Sequence, residues 1–218
     1  MKPVLAVILA ALLAGCGGTS AAPSTTPSPR PTPELDAASL VTALESARQA
    51  TFKIEYAVNG TVQKVAISGR WVTYQRPPLF RYDVFLAGGG EYAITTFIGP
   101  DGVVVCGIGP KLPCQRPDPA TASKLLGSQA LDANARNDPS FFAKAARVPD
   151  RIAGLPVTCF VLEPKIGVVT GTVASGEFCY TRDGLPLRLH ARNDDGDIEL
   201  NAMIVLRDFP PDDLVAPK

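Results

Sequence analysis

Cys106, Cys114, Cys159, Cys179 and the single histidine, His190, are the residues of this chain most able to do chemistry. Zinc would need four convergent ligands, usually in closely spaced pairs. No Cys-x-x-Cys pair occurs, and His190 stands alone in Leu187-Arg188-Leu189-His190-Ala191, so no metal and no redox-active dithiol is expected. A hydrolase needs a nucleophile beside a base. No Gly-x-Ser-x-Gly, His-Glu-x-x-His or Gly-x-x-x-x-Gly-Lys run supplies one, and alternation places His190 on the strand face opposite Leu187 and Leu189. Asp194, Asp195 and Asp197 lack the spacing of a calcium loop and read as a hairpin turn. The chain is therefore expected to have no catalytic residue and no cofactor, and not to be an enzyme.

The fifth cysteine, Cys16, has a different setting. The N-terminus reads MKPVLAVILAALLAGCGG, with one cation at Lys2 and an apolar run from Val4 to Ala14. That run is too short for the ~20 residues of a spanning helix, and small residues close it, as in an export signal. Its last four residues, Leu13-Ala14-Gly15-Cys16, closely resemble the lipobox of bacterial lipoproteins. The resemblance implies that the Cys16 thiol receives a diacylglyceryl group, that residues 1–15 are removed as a signal peptide, and that a further acyl chain such as palmitate is added. Two or three chains, at ~0.8 kcal/mol per buried methylene, hold a protein on a membrane without basic residues. The expected place is the cell envelope, lipid-anchored on the extracytoplasmic face of the membrane.

Composition agrees with such a chain. Lys plus Arg and Asp plus Glu number 21 each, and the pI lies near 6.6, so no surplus of cations is available for nucleic acid. Residues 16–35 form a tether. After Cys16 they read GGTSAAPSTTPSPRPTPE, too poor in apolar bulk to offset ordering entropy, and able to reach roughly 55 Å when extended. Residues 36–218 contain no second low-complexity break and suit one domain, which can bury about 70% of its unfolded surface.

The domain opens with Asp36 as a helix cap and Leu40, Val41, Leu44 and Ala47 at helical spacing, ending near Ala50. The period then changes to two. Phe52, Ile54, Tyr56 and Val58 alternate with polar neighbours, and Asn59-Gly60 predicts a tight hairpin turn. Val65 and Ile67 return, Trp71–Gln75 extends or follows that strand, and Arg76-Pro77-Pro78 interrupts the ladder. Phe80–Leu86, Tyr92–Ile98 and Val103–Val105 complete an antiparallel meander, with Gly88-Gly89-Gly90 as a loop between strands. Two short helices are predicted next. One begins at Asp118-Pro119 and carries Ala122, Leu125 and Leu126; the other begins at Asn137-Asp138-Pro139 and carries Phe141, Phe142 and Ala145. Val157–Leu162, Glu177–Thr181, Leu187–Ala191 and Ile198–Leu206 read as strands, with turns at Asp183-Gly184 and Asn193-Asp194-Asp195-Gly196. The pattern is α+β, with helices against one face of an antiparallel sheet.

The run WVTYQRPPLFRYDVFLAGGGEYAITTFIGPDGVVV from Trp71 is similar to the strand, Arg-Pro, Phe-Arg, strand, Asp-Gly pattern of lipoprotein-localisation factors of the LolA/LolB type. LppX and LprG lipoproteins are relatives, and many of them close with a Pro-rich tail like the one from Phe209 to Pro217. The resemblance spans most of residues 37–217. It implies a curved antiparallel half-barrel with short helices on the concave face, and an apolar cavity between them for acyl chains. Ile54, Tyr56, Phe80, Tyr82, Val84, Ile94, Leu125 and Phe141 are then the expected ligand-binding residues. The four domain cysteines depart from the family pattern and suggest a disulfide-braced branch. Even in number in an exported chain, they are expected to form disulfides, in one of three pairings. We choose Cys106 with Cys114, across the turn-rich GIGPKLP loop, and Cys159 with Cys179, in apolar segments that can lie antiparallel. Chain-entropy arithmetic gives roughly 2.6 and 3.3 kcal/mol for the two loops. The function expected is that of an envelope lipoprotein that binds or carries a hydrophobic molecule such as a lipid non-covalently. The alternative is a protein-interaction or sensor module with a filled core.

Overall fold

Alternation of apolar and polar residues is realised over most of the described residues as a single sheet. The computed structural model describes residues 37–88, 91–107, 113–118, 142–164, 175–193 and 196–217. One α-helix, α1 (Ala37–Gln49), precedes ten strands: β1 (Phe52–Val62), β2 (Val65–Arg76), β3 (Leu79–Ala87), β4 (Glu91–Gly99), β5 (Gly102–Gly107), β6 (Phe142–Ile152), β7 (Leu155–Pro164), β8 (Ser175–Tyr180), β9 (Pro186–Asn193) and β10 (Gly196–Leu206). Their order in the sheet is β5-β4-β3-β2-β1-β10-β9-β8-β7-β6. Two meanders are thus joined where the first strand meets the last, antiparallel from Lys53 opposite Leu206 to Val62 opposite Gly196. The sheet is curved and not closed, and among the described residues α1 is its one α-helix.

The register identifies a continuous inner face on the first meander. Phe52, Ile54, Tyr56 and Val58 of β1 are all buried, and they pack in one cluster with Val157, Cys179, Leu185, Leu187 and Leu200. Strands two places apart in a flat sheet are ~9–10 Å apart, and their side chains stand perpendicular to it. Tyr56 of β1 nonetheless donates its hydroxyl to the carbonyl of Pro186, two strands away, at 2.7 Å. The sheet bends toward this face. Burial pushes the Tyr56 hydroxyl's pKa well above its ordinary value, so it stays a neutral donor.

The outer face of the same strands is covered by the C-terminal tail. Phe209 and Leu214 bury Val72 and Tyr74, with the Phe209 and Tyr74 rings edge to face at 5.8 Å. Basic side chains tie the tail down. Arg76 donates to the Phe209 carbonyl at 2.9 Å, and Arg81 donates to the Asp213 carbonyl at 2.8 Å while forking onto Asp83 at 2.8 and 2.9 Å. Asp83 is buried and also accepts from Thr95 at 2.8 Å, so the guanidinium and its carboxylate are both satisfied.

Two expectations are corrected. The β1–β2 turn lies at Gln63-Lys64, both with positive φ (49° and 67°), and Asn59-Gly60 lies within β1. Gly60 serves close approach instead: a Cβ there would stand 2.0 Å from the Asp197 carbonyl oxygen of β10. The helix expected over Phe142 and Ala145 is strand β6, paired with β7 from Phe142 opposite Pro164 to Ile152 opposite Leu155. Pairing overrides the helical propensity of Lys144-Ala145-Ala146-Arg147, and Pro149 is tolerated because β6 is an edge strand. Among the described residues α1 is the helix that lies against the sheet. The helix expected from Asp118-Pro119, with Leu125, lies outside the described residues from position 119 onward, as does Phe141.

Candidate functional site

Six of the expected ligand-binding residues share the inner face. Cross-strand pairing runs Tyr56–Trp71–Val84–Ile94 in one row, Ile54–Thr73–Tyr82–Thr96 in the next and Phe52–Gln75–Phe80–Ile98 in a third. They differ in availability. Ile54 is 0% exposed, Tyr56 4% and Val84 6%, so these are packed core, whereas Phe80, Tyr82 and Ile94 are half-buried. Trp71 stands edge-on to Tyr82 at 5.9 Å between ring centres. Leu125 and Phe141 lie outside the described residues.

Among the described residues an open cleft lies between α1 and strands β7 and β8. Leu40 and Leu44 of α1 are buried against Phe160, Phe178 and Tyr180, which docks the helix along one stripe. The adjacent stripe, Ala38, Ser39, Thr42, Ala43 and Ser46, consists of small residues and leaves a cleft of about 430 Å³. Phe160 and Tyr180 form its apolar floor, and Thr158, Thr181 and Arg182 complete the wall. This volume lies within the ~300–1,000 Å³ of small-molecule sites. Sequence reading passed over these residues. The signal was a run of small side chains at i, i+3 and i+7 beside the leucine stripe, which resembles the solvated face of any amphipathic helix.

Two contacts specify where the C-terminal end of the helix rests. Gln75 of β2, 7% exposed, donates its amide nitrogen to the carbonyls of Ala47 at 2.5 Å and Ala50 at 2.9 Å, satisfying acceptors at the helix C-terminus. The loop after β8 packs directly against α1. Gly184, at φ +86°, has no room for a side chain, since a Cβ would meet the Ser46 carbonyl carbon at 2.4 Å. Within that loop Leu185 donates its N–H to the Thr181 hydroxyl at 2.9 Å, Gly184 to the Thr181 carbonyl at 3.0 Å, and the Thr181 hydroxyl donates to Asp183 at 2.7 Å. Arg207 pairs with Asp183.

The cysteines are joined as Cys106–Cys114 and Cys159–Cys179. Cys159 and Cys179 are directly opposite on β7 and β8. The Glu177 carboxylate lies within 4.8 Å of both sulfurs, but sulfurs bonded to each other offer no thiolate to a metal. His190 bonds Asp197 across β9 and β10 at 2.7 Å. Arg188 joins Asp150, Glu177 and Asn201 at 3.1, 3.0 and 2.8 Å, a polar network that ties four strands together. No helix among the described residues is long and apolar enough to cross a membrane.

No family model and no curated protein matches the chain. Solved structures do. MucB of Pseudomonas aeruginosa, in its complex with MucA, is 16% identical, with a TM-score of 0.48 over 84% of this chain and 61% of that one. The lipoprotein LppX of Mycobacterium tuberculosis is 11% identical, with a TM-score of 0.47 over 76% of this chain and 93% of that one. LprF of Mycobacterium bovis is 10% identical, with a TM-score of 0.44 over 78% and 93%. The chain spans about six-tenths of the MucB chain. All three are LolA-like folds, the group whose strand and turn pattern the sequence resembles.

Proposed function

We propose that this protein is an envelope lipoprotein, tethered through acylated Cys16, that binds or carries a hydrophobic molecule without covalent chemistry. The observation that carries the reading is the cleft of about 430 Å³ between α1 and the sheet, floored by Phe160 and Tyr180. Apolar area buried there contributes roughly 25 cal/mol per Å². The cleft is not enclosed, so a ligand reaches it without α1 leaving the sheet. Phe80, Tyr82 and Ile94 offer further half-buried apolar surface on the inner face.

The test is uptake of a fluorescent fatty-acyl probe by delipidated protein. Ala43→Trp, which puts bulk into the cleft from a half-buried position, is expected to reduce uptake at least tenfold while the thermal transition stays cooperative. Wild-type protein that takes up no probe, and yields no apolar molecule in native mass spectrometry after membrane extraction, overturns the reading. The interaction-module alternative has its own observation: Met203, Ile204 and Leu206 of β10 are 50%, 50% and 44% exposed, beyond the last β9 pairing at Asn201 and Arg188. An extended partner strand with alternating apolar side chains fits there, and Ile204→Lys would weaken its binding without touching probe uptake.

A further inference from the structure

We infer that the cleft selects a single-chain amphiphile with an anionic head, carboxylate or phosphate, and that Arg182 at its wall is the specificity residue; this rests on the reading of the cleft as the hydrophobic-molecule site. Among the described residues Arg182 is the one charged residue that lines the cleft, and none of them lines it with a carboxylate. The acid beside it in sequence is already engaged, since Asp183 pairs with Arg207 and accepts from the Thr181 hydroxyl. Arg182 itself has no carboxylate partner among the described residues. A guanidinium without a counter-ion, at the edge of an aromatic floor, attracts an anion whose remaining bulk is apolar.

The rest of the wall has the same polarity. Ser46 of α1 and Thr158 of β7 add hydroxyls beside Phe160 and Tyr180. A wholly apolar guest would strip water from these groups without replacing its hydrogen bonds. An amphiphile lays its chain on the aromatic rings and its head among the hydroxyls and the guanidinium. The presenting loop is rigid, closed by the Thr181–Leu185 and Gly184–Thr181 backbone bonds at 3.0 Å each and pressed onto α1 at Gly184. The backbone that carries Arg182 is therefore fixed beside the cleft, while its exposed side chain turns to meet a ligand. Arg forks onto carboxylate and phosphate alike, so the two head groups share one chemistry here.

The experiment measures binding to delipidated full-length protein at pH 8 and about 0.15 M salt, where long-range attraction is screened. The probes are palmitate, 1-palmitoyl lysophosphatidate, 1-hexadecanol, and acetate and inorganic phosphate as heads without chains. Palmitate or lysophosphatidate is expected to bind about tenfold tighter than hexadecanol, and the stronger of the two names the head group. Arg182→Gln should remove that preference, bringing the affinity for the anionic chains down to that for hexadecanol. Arg151→Gln, the same charge loss at an exposed position near the end of β6, should keep it. Equal binding of charged and neutral chains, or a preference that survives Arg182→Gln, overturns the head-group inference and leaves the cleft reading intact. Acetate or phosphate binding as tightly as the chain-bearing probes also overturns it, in favour of a plain anion site. If no chain-bearing probe binds at all, the cleft reading itself falls.

Discussion

Replacing Gln75 by methionine removes two donors from the foot of α1 while keeping nearly the same side-chain length. The amide nitrogen of Gln75 reaches the carbonyls of Ala47 and Ala50 at 2.5 and 2.9 Å, and the residue is only 7% exposed. An acceptor left unsatisfied in a buried place costs ~1–3 kcal/mol. Ala47 and Ala50 are half-buried, so water reaches part of each carbonyl, and the two together should cost about 1–3 kcal/mol. The packing change adds little, because the volume is conserved. Urea unfolding at neutral pH checks this: the midpoint should fall with the slope unchanged. Hydrogen exchange localises the loss, since amides of α1 should lose protection while those of β1 keep it. Because α1 is one wall of the cleft, affinity for the acyl probe should fall with the helix's protection. A destabilisation below about 0.5 kcal/mol with α1 protection intact would refute the claim that Gln75 fixes the helix.

The Arg207 hydrogen bond holds the Asp183 carboxyl down to about 2, against an ordinary value of 3.8. Such an acid contributes stability that is complete above its unfolded pKa and is lost as pH falls through the folded one, here from about pH 4 to pH 2. Unscreened linkage would give about 2 kcal/mol, but the side chains are 48% and 58% exposed, so about 1 kcal/mol or less is expected. Asp183→Asn should therefore cost that much at pH 7 and much less at pH 2 in paired denaturant titrations, and an equal cost at both would disprove the linkage. Cys16→Ala should move the protein to soluble fractions or leave its precursor uncut; unchanged membrane retention with a normally processed N-terminus would count against the anchor.

Strand alternation made most of the sheet legible, because a residue facing the core at every second position has few other readings. Phe52–Val58 and Phe80–Leu86 are of this kind, and both fall within strands. Misreadings arose where one residue type serves two purposes. Gly60 looks like a turn residue but is the point where β10 approaches β1, and its partner Asp197 is more than a hundred residues away, beyond any local pattern. The sequence around Lys144 has the composition of a helix, and only the presence of β7 as a neighbour makes it a strand. The cleft is hidden for a further reason. Sequence patterns report the side chains that fill space, whereas a binding site is space that side chains decline to fill. Phe160 and Tyr180 read as core, and Ser39, Thr42 and Ser46 as a wetted helix face; only their juxtaposition, set by Leu40 and Leu44 beside them, turns a core floor and a polar wall into one cleft. Arg182 has even less of a signature, being one cation in an Asp-Gly turn. What distinguishes it is that Arg207, twenty-five positions later, has already taken the neighbouring acid. The same fact ties specificity to stability: losing the Arg207 pair would free Asp183 beside Arg182, so Arg207→Gln should weaken any preference for anionic chains even though Arg207 does not line the cleft.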